Sequence, residues 1–165
     1  MNVLRTIFLS LHVAGGVLGL LVGLFAFHPP ETRQFRAGLR RLYGTAIGAL
    51  VIFLVALVAI DWARLGATQR ITFAILVGLA AVIVTRVYLA FRLARRQPPG
   101  WQLPYVDHIF FSYVSLWEGF FIVGLLDLRA PGWLVGIVAV AVLVIGLIVV
   151  ARYKRRLAPA GTGAA

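Results

Sequence analysis

Residues 133–151 read WLVGIVAVAVLVIGLIVVA, and residues 152–156, RYKRR, follow at once. As a helix rising 1.5 Å per residue, this uncharged run is about 28 Å long, close to the roughly 30 Å hydrocarbon core of a bilayer. No polar face interrupts it, so it does not read as the amphipathic helix of a soluble domain. The basic cluster at its end has the character of a membrane flank on the cytoplasmic side.

Working outward, the same pattern recurs at 7–27, 42–60, 71–91 and 109–126. Five continuous apolar runs lack the alternation of barrel strands, and an odd set of five would not close as a bacterial barrel. The expectation is an all-α integral membrane bundle of five transmembrane helices, forming a single domain over 1–157 with a disordered tail at 158–165. Composition agrees: of 165 residues, 62% are hydrophobic and only 13% charged, against roughly a quarter charged in soluble domains. Segment 7–27 exceeds the length of a signal-peptide core, and Ala26-Phe27-His28-Pro29 offers no small-x-small cleavage site, so it is expected to stay as an anchor.

The charge of +11 resides in short runs between the apolar segments. Arg33, Arg36, Arg40 and Arg41, then Arg92, Arg95 and Arg96, then Arg152, Lys154, Arg155 and Arg156 fall on one side. Arg5, Arg64, Arg70 and Arg129 fall on the other. This alternation predicts an N-terminus outside and a C-terminus in the cytoplasm, in a bacterial inner membrane. It also makes anionic lipid headgroups the expected partner of the basic loops, and not nucleic acid, because no basic face exists apart from the membrane flanks. Ring-bearing residues Tyr43, Trp62, Trp101, Tyr105, Trp133 and Tyr153 sit near the expected helix ends, and Pro98-Pro99-Gly100 with Pro104 predicts an irregular third loop.

Helices gain nothing in lipid by hiding apolar side chains from one another, so small residues and polar contacts mark where they meet. Gly15, Gly19 and Gly23 in the first helix, Gly44 and Gly48 in the second, and Ala74, Gly78 and Ala81 in the third predict a close cluster of these three. The fifth helix, without an ionisable residue in its core, reads as peripheral or as a contact in a homo-oligomer or larger membrane complex.

Cysteine is absent, which removes thiolate metal sites and a cysteine nucleophile. No Gly-x-Ser-x-Gly, phosphate loop or His-Glu-x-x-His occurs. Three ionisable residues interrupt the apolar runs: His12, Arg86 and Glu118. Their depths, about 7 Å outward of the midplane for His12, near it for Glu118 and about 7 Å inward for Arg86, allow an Arg86–Glu118 ion pair with His12 as a neighbour. Such a trio can organise packing, with His12 bonded to a backbone carbonyl, or can serve as a proton or ligand site. His28 and His108 share the cytoplasmic boundary, and two imidazoles on facing helices are an axial ligand set for one haem b.

His12 with Gly15, Gly16 and Gly19, the run Arg40-Arg41-Leu42-Tyr43-Gly44, and the run His108-Ile109-Phe110-Phe111-Ser112-Tyr113-Val114 resemble a group of uncharacterised bacterial multi-pass membrane proteins. That group shows a histidine and glycines in its first helix and a late His-Ile-x-x-Met-x-x-Ser-Tyr helix. The resemblance implies a small membrane protein loosely similar to haem-carrying helical bundles. Two positions depart from it: no histidine lies in the first loop near Gly44, and no methionine follows His108.

Three functions are compatible with these residues. The leading one is a non-enzymatic accessory or small-molecule-binding protein. The alternative is a single-haem or quinone-linked redox protein, and the third is a proton-coupled carrier in which an oligomer supplies the missing inverted repeat.

Overall fold

The structure, a computed structural model, describes residues 3–26 and 33–157. His28 and the tail at 158–165 lie outside the described residues. The protein is all-α, with five long helices: α1 (Val3–Ala26), α2 (Arg33–Asp61), α3 (Ala67–Arg96), α4 (Gln102–Asp127) and α5 (Gly132–Leu157). A one-turn 3-10 helix, Trp62–Arg64, follows α2. All five long helices have the length and apolarity to cross a membrane.

Large apolar side chains point outward along them. Ile75 is 66% exposed, Val140 61% and Trp133 68%, while the fully covered positions include the small residues Ala90 and Ser112. In water such a surface would aggregate; in lipid it is the solvated face. This is therefore a multi-pass membrane protein. Hydroxyls inside the spans bond to their own helix, Ser112 to the Ile109 carbonyl at 2.7 Å and Thr85 to the Ala81 carbonyl at 2.9 Å.

The helices run past the apolar segments, because a helix leaving the hydrocarbon keeps its internal hydrogen bonds while its basic side chains enter the headgroup layer. Pro104, expected in an irregular loop, lies instead in the first turn of α4, where a proline's missing N–H costs nothing. Tyr43, expected near a helix end, is fully buried within α2. The chain leaves α3 through Gln97, whose left-handed φ of 47° ends the helix as its N–H bonds the Leu93 carbonyl at 2.8 Å. Arg129, at φ 55°, ends α4 in the same way, with Ala130 N–H reaching back to the Leu125 carbonyl at 2.9 Å.

The chain forms two compact units, Met1–Tyr88 and Leu89–Ala165. In the first, α1 packs along α2. Arg5 donates to Asp61 at 2.9 Å at one end, the Phe8 and Phe53 rings lie 5.5 Å apart one turn further in, and His12 lies 2.8 Å from the Leu50 carbonyl. At Gly15 the backbones themselves meet, since a Cβ there would stand 2.9 Å from the Leu50 nitrogen and 3.1 Å from the Ala46 oxygen. Ala46 and Ile47 are buried at this crossing.

In the second unit, α4 packs along α5. Lys154 donates to both Asp107 oxygens, at 2.9 and 2.8 Å. Gly146 fits over Val114, whose Cγ2 would lie 2.7 Å from a Cβ on that glycine. Along the rest of α5, Ile137, Val140, Ile145 and Leu147 are exposed.

Candidate functional site

The last two turns of α3 bring together residues of two kinds. Leu89, Arg92, Leu93 and Arg96 follow one another at steps of three, one and three, which puts them on one face of the helix. The chain then turns through Pro98, whose carbonyl accepts the Trp101 N–H at 3.0 Å, and enters α4, where His108 occupies the second turn. Leu89, Arg92, Leu93, Arg96, Pro98 and His108 line a cavity of about 390 Å³. Trp101 and Tyr105, with ring centroids 5.6 Å apart and edge to face, brace the turn beside it.

The cavity wall is mainly apolar, and the charged side chains at it are both arginines. Arg92 and Arg96 have no ion pair or hydrogen bond among the described residues. Asp107, next to His108, is engaged by Lys154 at bonding distance on both oxygens. Two guanidiniums one helical turn apart repel each other unless an anion joins them. Leucines beside them offer an apolar wall, so the cavity suits a molecule with an anionic group and a hydrocarbon part.

The other candidates are distributed as follows. His12 is half-buried and bonded to α2. A carbonyl can only accept, so Nδ1 carries the hydrogen and, in the neutral ring, Nε2 keeps the lone pair. Arg86 is half-buried on α3 in the first unit, and Glu118 is half-buried on α4 in the second. Beside Glu118, Trp117 gathers Tyr113, Phe120 and Phe121 at ring distances of 6.4, 6.1 and 5.5 Å, a packing network within one helix. Gly15, Gly19 and Gly23 are buried and Gly44 is half-buried. A Cβ at Gly48 or Gly78 would meet nothing within 4 Å. On α3 the buried stripe is Ala80, Ile83, Val87, Ala90 and Ala94, whereas Ala74, Gly78 and Ala81 are exposed.

Among the described residues no group of three histidine or carboxylate side chains could hold a metal ion. In the sequence, Arg92 and Arg96 read only as topology signals. The four-residue steps Leu89 to Leu93 and Arg92 to Arg96 were the available sign that they share a face. The ion pairs of Arg5 with Asp61 and of Lys154 with Asp107 were not read from the sequence, where only the lysines and arginines were weighed. No family model, curated protein or solved structure matches the chain.

Proposed function

We propose that this membrane protein is a non-enzymatic accessory protein that binds a small amphiphilic molecule at the cytoplasmic face of a bacterial inner membrane. The observation that carries the reading is the cavity of about 390 Å³, in which Leu89 and Leu93 stand beside Arg92, Arg96 and His108. Native mass spectrometry of the full chain, under conditions that strip detergent, tests it. A single small-molecule mass retained per chain, and lost in Leu93→Asn with His108→Asn, is the expected result. A bare wild-type chain overturns the reading.

The orientation rests on the basic ends of α3 and α5, and alkaline phosphatase fused after Arg155 should be inactive; an active fusion reverses it. His12 serves in this reading to hold α1 in register on α2 through the Leu50 carbonyl.

His108 on the cavity wall favours one second reading, a single haem b with Arg92 and Arg96 facing its propionates. In that reading His108 would be one axial ligand. The haem would supply one-electron chemistry. A Soret band reducible by dithionite and abolished by His108→Ala selects this reading, and a colourless protein removes it.

A further inference from the structure

We propose that the cavity at the end of α3 is a site for a phosphate ester, and that the molecule carrying it is an anionic phospholipid. This deepens the small-molecule reading above and rests on it. Three observations support it together.

The first is the absence of a protein anion. Arg92 and Arg96 form no ion pair or hydrogen bond among the described residues, and Lys154 occupies the adjacent Asp107. Arginine presents its donors in a planar fork that matches phosphate oxygens, and two forks one turn apart can grip one phosphate from two sides. A basic pocket between membrane helices at their cytoplasmic end is a setting in which lipid head groups are held.

The second is depth. From Leu89 to Arg96 the helix rises about 10 Å, somewhat more than the roughly 5–8 Å of headgroup layer on one side of a bilayer. The apolar span 71–91 contains Leu89, and Arg92 and Arg96 come after it. The leucine end of the cavity thus reaches the hydrocarbon while the guanidiniums lie among the head groups.

The third is shape. Leu89 and Leu93 occupy the same helix face as the arginines, and Pro98 and His108 complete the lining of a half-open cavity. An inorganic phosphate would leave the leucine wall bare. A phospholipid covers it with the first carbons of an acyl chain while its phosphate meets Arg92 and Arg96.

The test uses the full chain in dodecyl maltoside with three probes: dioleoylphosphatidylglycerol, dioleoylphosphatidylcholine and inorganic phosphate. At phosphatidylglycerol about a hundredfold above its dissociation constant, the melting midpoint should rise by about 8 °C. Arg92→Gln with Arg96→Gln should remove most of that rise. Arg95→Gln with Arg155→Gln, which removes the same charge from positions outside the cavity, should keep it. An equal rise in both double variants would mean shell lipid and overturns the site. An equal rise with inorganic phosphate alone overturns the lipid as the source. A retained mass in the native spectrum without any phosphatidylglycerol shift would leave the small-molecule reading standing and sink the phosphate assignment. Should the cavity variant fail to fold, native mass spectrometry of the wild type decides: one phosphatidylglycerol held in preference to phosphatidylcholine supports the site, and equal retention overturns it.

Discussion

The α1–α2 hairpin and the α4–α5 hairpin are built alike at their ends and differently in the middle. Among the described residues each is tied by an ion pair, Arg5 to Asp61 and Lys154 to Asp107, between the start of its first helix and the end of its second. Between those ends, α1 meets α2 backbone to backbone at Gly15 and adds a bond from the His12 imidazole to the Leu50 carbonyl. The α4–α5 pair meets through a branched side chain, with Val114 filling the place that Gly146 leaves open. The difference shows two ways to gain packing where the hydrophobic effect offers none: bring main chains together, or let one glycine receive a stiff side chain.

The comparison can be broken most sharply at Gly15. In Gly15→Ala the new methyl meets main-chain atoms of Leu50 and Ala46, which cannot rotate away, so a loss of about 3 kcal/mol is expected. Detergent unfolding of purified protein measures it, and a neutral result would show that the helices do not cross here.

Gly146→Ala meets a side chain instead. The expected loss is about 1–2 kcal/mol, and Val114→Ala in the same chain should recover part of it by making room. Rescue by Val114→Ala should be specific, so the same substitution placed with Gly15→Ala should recover nothing. Recovery there would make the rescue a general effect and erase the contrast between the hairpins.

Gly48→Ala sharpens the comparison from the other side. It adds a methyl where nothing lies within 4 Å, so the higher helix propensity of alanine should raise stability by about 0.5 kcal/mol or leave it unchanged. A loss above about 1 kcal/mol in the same unfolding assay would reveal a partner at this position, such as a second copy of the chain.

Those three glycines also show what could be read from the sequence and what could not. Five spans were legible because length and apolarity are one-dimensional properties. The order of charges was equally plain. The faces were not legible. In a soluble helix, burial imprints a 3.6-residue period, whereas in lipid every face is apolar and the period vanishes. Gly15 and Gly48 therefore look alike in the sequence although only one lies at a crossing. Gly146 went unread because α5 offers no contrast of any kind, and the stripe from Ala80 to Ala94 on α3 was hidden by the more visible Gly78. Arg92 and Arg96 were read for their sign but not for their spacing, so the cavity between the end of α3 and the start of α4 was missed.

The two ion pairs have a consequence for the order of events during synthesis. Arg5 and Asp61 are 56 residues apart, and Asp107 and Lys154 are 47 apart. A ribosome adding about 5–20 residues per second completes such an interval within roughly ten seconds. The contacts of α1 with α2 all lie upstream of α3, so the first hairpin can latch while the remainder is still being translated. The α4–α5 hairpin has to wait until Lys154 emerges. Until then Asp107 is a carboxylate without its lysine.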